Sequence, residues 1–385
     1  MTTAVAARKL TVLLVVRWPV GGIRSYLRYT YGLMPRSDLD LVLCGPRSED
    51  LDECVKALAA FEPKVYRAAS AGIRDIFKAA RQALKENHVD VMHSQGYSSA
   101  VSVAPLVVLG RKPHVVTIHD MFTEALRKQW SIKIGRWVLA GALGVSDVVQ
   151  PTGRAVETNF RRHMSFWPAT RPTVETIRNG IDPQRFCAPA RRDLRSELQL
   201  AAQDFVIGFM GRFMAIKGFH VLIKAMQELV GTLAPPRRPI VVAIGSGGFV
   251  REDRAAIERS ALGDHFRFLP HTNEVGATLR GLDVLVIPSM SEASPILPME
   301  ALICGVPVIA SACDGLVDVL QGTPASLFPI GNGHELALNL RARMDAPGRQ
   351  EAEAYAPAAR DRFDARNSAA SLEAVLRRFS RRTPA

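Results

Sequence analysis

Short runs of β-branched and aliphatic residues alternate with longer amphipathic segments along most of the chain. This is the pattern of parallel sheets covered by helices on both faces. In the first half, Leu10–Val16, Leu39–Cys44, Val89–His93, His114–Ile118 and Val148–Gln150 read as strands. Apolar residues recurring every three to four positions predict helices over Ile23–Leu33, Ile73–Asn87 and Ala125–Ala140. The alternation breaks at Arg178-Asn179-Gly180-Ile181-Asp182-Pro183, where Asn-Gly and Asp-Pro mark turns, and then restarts. Phe205–Met210, Ile240–Ile244, Phe266–Leu269, Val284–Pro288 and Val306–Ala310 supply a second set of strands. Helices are expected near Phe219–Leu229, Glu252–Ala261 and Ile296–Cys304. The expected fold is α/β: two doubly wound, Rossmann-like domains over residues 1–182 and 183–359, followed by a tail over residues 360–385. Two such sheets facing one another would leave an interdomain cleft at the carboxyl ends of their strands, where open α/β folds bind ligands.

Composition narrows the class. At 385 residues the chain exceeds what one hydrophobic core usually supports. Its 48% hydrophobic and 22% charged content suits folded domains, and no low-complexity tract interrupts it. Neither a membrane-length apolar run nor a secretory leader is evident, so a cytoplasmic protein is expected. Cys44, Cys54, Cys187, Cys304 and Cys313 are scattered without metal-type spacing and read as buried, reduced thiols. The net charge of +12 falls mainly in residues 1–182, with a smaller excess in the tail. A basic half implies an anionic partner, such as a membrane surface or an acidic lipid. Nucleic acid is not expected, because no recognition motif accompanies the charge. Nothing in the sequence specifies an oligomeric state.

Three segments carry candidate chemistry. The first strand runs into Trp18-Pro19-Val20-Gly21-Gly22, a strand-to-helix turn whose glycines allow close approach of an anion to helix-start N–H groups. Taken alone, such a pair is more often only a tight turn. The second domain opens with Gly211-Arg212-Phe213-Met214-Ala215-Ile216-Lys217-Gly218, which places two cations just past a strand. An arginine fork and a lysine ammonium there can neutralise a diphosphate without a metal. Ser291-Glu292-Ala293-Ser294-Pro295-Ile296-Leu297-Pro298-Met299-Glu300 follows a later strand. Its prolines confine the helix start to their vicinity, leaving Glu292 in the loop and Glu300 inside the helix. A carboxylate in so apolar a helix calls for hydrogen-bond donors, which ribose hydroxyls would supply.

At this point the chain resembles glycosyltransferase family 4, a group of retaining enzymes of GT-B architecture. The resemblance rests on Gly21-Gly22, Thr117-Ile118-His119-Asp120, Ile177-Arg178-Asn179-Gly180-Ile181-Asp182, Gly211-Arg212 with Lys217-Gly218, Glu292 with Glu300, and Gly305-Val306-Pro307-Val308-Ile309-Ala310-Ser311. It implies a nucleotide-sugar-binding C-terminal domain and an acceptor-binding N-terminal domain, with the tail crossing back to the latter. It assigns the donor diphosphate to Arg212, Lys217, Gly21 and Gly22, the ribose to Glu300, and the transferred sugar to Glu292 and His119. Ser294 and Ile296 would offer backbone contacts to sugar and phosphate, since Pro295 has no N–H. The chain departs from the family pattern at Ala293-Ser294-Pro295, where many relatives carry Gly-Phe-Gly, and at Asp314-Gly315-Leu316-Val317-Asp318, where an aspartate ends the motif.

The expected reaction is transfer of a hexosyl unit from a nucleotide diphosphate sugar, retaining and metal-independent, to a glycan or lipid-linked acceptor. No cofactor is implied, and a peripheral position on an anionic membrane is expected, with Arg127, Lys128, Trp130, Lys133, Arg136 and Trp137 as candidate contacts. A sugar-nucleotide 2-epimerase and a catalytically degenerate partner protein are the alternatives.

Overall fold

The computed structural model describes residues 9–36, 39–122, 133–164, 172–232 and 238–379. The chain divides into two units, one made of residues 1–181 with 365–385 and the other of residues 182–364.

The first unit is built on seven parallel strands: β1 (Leu10–Val16), β2 (Leu39–Pro46), β3 (Lys64–Ala68), β4 (Val91–Gln95), β5 (His114–Ile118), β6 (Val148–Pro151) and β7 (Thr173–Val174). They lie in the order β3-β2-β1-β4-β5-β6-β7. Helices α1 (Gly22–Thr30), α2 (Glu49–Ala57), α3 (Ile73–Glu86), α4 (Tyr97–Gly110), α5 (Lys133–Gly144) and α6 (Arg154–His163) join them. Strand β1 is apolar apart from Thr11 because it is covered on both faces. Its side chains divide by the two-residue period of a strand. Leu10, Val12, Leu14 and Val16 enter one core with Tyr26 and Leu27, while Leu13 and Val15 enter another with Ile76, Ala80 and Val103.

The second unit contains six parallel strands, β8 (Phe205–Met210), β9 (Pro239–Ile244), β10 (Phe266–Leu269), β11 (Val284–Ile287), β12 (Val308–Ser311) and β13 (Ser326–Phe328), in the order β10-β9-β8-β11-β12-β13. Its helices are α7 (Leu194–Glu197), α8 (Phe219–Thr232), α9 (Val250–Arg259), α10 (Val275–Arg280), α11 (Leu297–Ile303), α12 (Asp314–Leu320), α13 (Gly333–Asp345) and α14 (Arg349–Arg362). Phe205, Ile207 and Phe209 of β8 pack with Phe213, Phe219 and Leu222 in its core.

The last helix, α15 (Ala365–Arg377), belongs to the first unit. Ala369, Leu372, Val375, Leu376 and Phe379 lie in the same core as β1 and α1. The Ala365 N–H donates to the Ile181 carbonyl at 2.9 Å, and the Ser368 hydroxyl donates to the Arg178 carbonyl at 2.6 Å. Arg378 grips both oxygens of Glu175, at 2.8 and 2.6 Å. That guanidinium holds the Glu175 carboxyl below the usual carboxylate range.

Several boundaries differ from the sequence reading. The chain passes from one unit to the other after Ile181 rather than Asp182, and returns at Ala365 rather than near residue 360. Of the helix expected over Ala125–Ala140, residues 125–132 lie outside the described residues, and α5 runs on to Gly144. Strands β3, β7 and β13 and helices α2, α4, α6, α7, α10, α12, α13 and α14 were not anticipated. Cys187 is exposed, unlike the other four cysteines; it lies in a short exposed connection just past Phe186 instead of on a core-facing strand or helix.

Candidate functional site

In the second unit, strand order reverses between β8 and β11, and the loops leaving the carboxyl ends of these two strands carry most of the candidate residues. Such a switch point opens a crevice because the two loops turn to opposite faces of the sheet. After β8 the chain passes Gly211 and Arg212 and closes a single 3-10 turn, Ala215–Lys217, that ends at Gly218. Gly218 adopts φ +68°, a left-handed conformation, and a side chain there would strike the Pro288 carbonyl. Only glycine satisfies both demands. The Met290 N–H donates to the Ile216 carbonyl at 2.8 Å, fastening the β11 loop to this turn.

The close approach brings Lys217 and Glu292 together. Lys217 Nζ donates to Glu292 Oε1 at 2.7 Å, and Ser289 Oγ donates to the same oxygen at 2.7 Å. The Ser311 hydroxyl, at the end of β12, donates to the Ser289 carbonyl. From the far side, the start of α12 presses on the loop: a side chain at Gly315 would collide with the carbonyls of Glu292 and Ala293. Gly315 is thus the element of the divergent Asp314–Asp318 motif that the geometry requires.

The remaining candidates of this unit surround the cluster in sequence. Arg212 is exposed two residues past β8. Ser294 and Ile296 are half-buried, and Ile296 immediately precedes α11, where Pro298 fits the first turn because its missing N–H has no helical partner there. Glu300 lies in that helix, half-buried.

The first unit carries the others. Gly21, at φ +53°, precedes α1, whose N-terminus has no side-chain cap and no acid in its first turn. A side chain at Gly22 would meet nothing within 4 Å. The uncapped N–H groups and open space form an anion-tolerant turn.

His119 follows β5 directly and belongs to a buried polar network that the sequence reading missed. Gln95, Thr117 and Gln150 stand in register across β4, β5 and β6. His93 and His119 lie two residues from Gln95 and Thr117, hence on the same sheet face. The Tyr31 hydroxyl is 2.5 Å from His93 Nδ1, and Thr117 Oγ1 is 2.7 Å from His93 Nε2. Thr117 and Tyr26 donate to Gln150 Oε1 at 2.6 and 3.1 Å. Gln95 lies between the rings, one amide atom 3.1 Å from His93 Nε2 and the other 2.8 Å from His119 Nε2. Tyr26 stands edge-on to His119, with ring centroids 4.8 Å apart. Burial pushes both His93 and His119 down to about 3, so each imidazole is neutral near pH 7. Polar residues at the ends of otherwise apolar strands were the available signal.

The structure therefore joins Lys217 to Glu292 directly. Arg212, Ser294, Ile296 and Glu300 lie on the same two loops and their helix, while Gly21, Gly22 and His119 form the corresponding strand ends of the first unit. Of the basic segment suspected of membrane contact, residues 127, 128 and 130 lie outside the described residues. Trp137 is exposed on α5, beside an apolar groove between α4 and α5 lined by Val101, Ala104, Pro105, Val108, Leu109 and Val138. Among the described residues, no helix is long and apolar enough to cross a membrane.

Two parallel sheets with helices, each with its strand order reversed beside its first strand, are the two-domain α/β architecture of the GT-B class. The family comparisons agree. Residues 20–185 match the model of Glycosyltransferase Family 4, and residues 190–362 match that of Glycosyl transferases group 1. The 2-deoxystreptamine glucosyltransferase of Streptomyces kanamyceticus is 28% identical over 273 residues, 66% of this chain and 68% of that protein. The D-inositol 3-phosphate glycosyltransferase of Salinispora tropica is 31% identical over 285 residues, 69% of this chain but 56% of the relative's length. Among solved structures, Anabaena HepE in complex with UDP and glucose superposes with a TM-score of 0.80 at 19% identity, covering 96% of this chain and 100% of that one. The chain belongs to glycosyltransferase family 4.

Proposed function

We propose that the protein transfers a hexosyl unit from a nucleotide diphosphate sugar to a glycan or lipid-linked acceptor, with retention and without a metal. The observation that carries this reading is the convergence of the Lys217 turn and the Glu292 loop at the switch point of the second sheet. In the proposed reaction the acceptor oxygen bonds to the anomeric carbon as the bond from that carbon to phosphate breaks. The acceptor proton passes to the departing phosphate oxygen, leaving a nucleoside diphosphate. Arg212 and Lys217 are assigned to the charge that grows on that phosphate, where fixed donors lower the barrier most. Glu300 is assigned to the ribose, Glu292 and His119 to the transferred sugar, Ser294 and Ile296 to backbone contacts, and Gly21 and Gly22 to the phosphate side. His119, neutral near pH 7, serves in this scheme through hydrogen bonds and not as a cation.

The related proteins suggest which donor and acceptors to try first. HepE was solved with UDP and glucose, and the relatives named above act on 2-deoxystreptamine and D-inositol 3-phosphate. The test is a thermal-shift screen of UDP-, GDP- and ADP-sugars, followed by product analysis with and without acceptors, including these two and a lipid-linked glycan. A donor sugar that raises the melting temperature and appears in an acceptor conjugate is the expected result. Interconversion of the donor without acceptor would instead mark an epimerase. Failure of every nucleotide sugar to stabilise the fold would overturn the reading.

The proposal extends to peripheral attachment at an anionic membrane on the cytoplasmic side. Support comes from the basic charge of residues 1–182 together with exposed Val108, Leu109, Trp137 and Val138 around the groove between α4 and α5.

A further inference from the structure

We infer that Gln95 holds His119 in the Nδ1–H tautomer, because a chain of buried hydrogen bonds beginning at Gln150 leaves Gln95 one way to face the two rings. The tautomer follows from geometry alone; its bearing on catalysis rests on the function proposed above.

The chain starts from an amide whose orientation is settled. Gln150 Nε2 donates to the carbonyls of Pro151 and Ile177, each at 3.2 Å. Turning this amide over would set its oxygen against two carbonyl oxygens, so Oε1 must face Thr117 and Tyr26. Thr117 has a single hydroxyl hydrogen, and it goes to Gln150 Oε1 at 2.6 Å. Toward His93, Thr117 can then only accept, so His93 carries its proton on Nε2. His93 Nδ1 is left as an acceptor, matched by the Tyr31 hydroxyl at 2.5 Å. Every member of this set is fully or almost fully buried, so no water competes for these bonds.

Gln95 comes next. With its amide nitrogen toward His93, two N–H donors would confront each other across 3.1 Å. A half-turn of the amide exchanges nitrogen and oxygen in nearly the same positions, and the hydrogen bonds decide between the two. The satisfied arrangement presents Oε1 to the His93 Nε2–H, which Thr117 and Gln95 then share as acceptors at 2.7 and 3.1 Å, and the amide N–H to His119 Nε2 at 2.8 Å. His119 Nε2 is therefore an acceptor and its proton resides on Nδ1. Among the described residues no hydrogen-bond partner engages Nδ1, so the half-buried ring offers one N–H of fixed direction to a sugar hydroxyl. Gln95, His93, Thr117 and Gln150 are thus positioning residues for His119.

Long-range proton–nitrogen correlation NMR on the full chain, isotope-labelled at the histidine nitrogens, reads the tautomer directly. The His119 signal is identified by its loss in His119→Asn. The expected pattern is a protonated Nδ1 and an unprotonated Nε2; the reverse would overturn the relay. In Gln95→Glu, a carboxylate that only accepts should draw the proton to Nε2, while the signals of His220 and His334 stay unchanged. A proton that stays on Nδ1 in that variant would also overturn it. Turnover should split accordingly, kcat falling roughly tenfold to a hundredfold with donor KM within about twofold. A wild-type chain with the Nδ1–H pattern but no turnover of any nucleotide sugar supports the relay and defeats the proposed function. Turnover with the reversed tautomer does the opposite.

Discussion

Glu292 is 13% exposed at its side chain and receives both Lys217 and Ser289 on one oxygen. A charge-assisted hydrogen bond contributes about 1.5 to 3 kcal/mol, and removing one partner strands the other. Lys217→Ala and Arg212→Ala should each lower turnover of the nucleotide sugar by roughly tenfold to a few hundredfold. Steady-state kinetics with either variant at full activity would contradict the assignment. The buried imidazoles predict a pH effect of definite sign. His93, His114 and His119 each fall from an ordinary 6.5 to about 3. Their folded values are depressed, so the unfolded chain takes up protons first. The stability they contribute is present above about pH 6.5 and is lost as pH falls toward 3. Unfolding free energies from urea titrations should drop steadily across this interval, by on the order of 1–2 kcal/mol per histidine at about pH 5, and the midpoints with them. A midpoint unchanged between neutral pH and pH 5 would show that these rings are solvated.

At the scale of elements, the contact between α12 and the Glu292 loop constrains the site. Gly315→Ala would push α12 away from the Glu292 and Ala293 carbonyls. Overpacking of this kind costs about 1–3 kcal/mol, so both the melting temperature and kcat/KM for the donor should fall together. The central strands were legible in the sequence because they are apolar on both faces, as in Leu10–Val16 and Phe205–Met210. Strands β3, β7 and β13 escaped because they are short or partly exposed at or near sheet edges, with little apolar pattern. Helix α4 escaped for the opposite reason: Tyr97–Gly110 is apolar nearly all round and contains Pro105, so no amphipathic stripe announces it. Glu292 and the start of α11 were readable from proline placement. Ser289, Gln95 and Gln150 were not, since a lone polar residue at a strand end shows its partners only once neighbouring strands are in register.

On the scale of the whole molecule, charge and exposed apolar surface coincide in the first unit. If that surface meets lipid, sedimentation with anionic vesicles should weaken severalfold on Leu109→Glu with Trp137→Glu, and also at high salt. Binding indifferent to both would remove the membrane from the account. The first unit is also completed from a distance. Leu372, Val375, Leu376 and Phe379 fill its core, and each such side chain contributes about 1.5–3 kcal/mol on burial. Together they rival the entire stability of a typical domain. Deleting residues 365–385 should therefore abolish the cooperative unfolding of the first unit in calorimetry while leaving that of the second. The same connectivity imposes an order on synthesis. Residues 182–364 are contiguous and can fold as soon as they clear the ribosome, whereas the amino-terminal portion, translated first, must wait with an open hydrophobic face until α15 emerges. The part made earliest is the last to finish, and it is the part that chaperones would have to guard during translation.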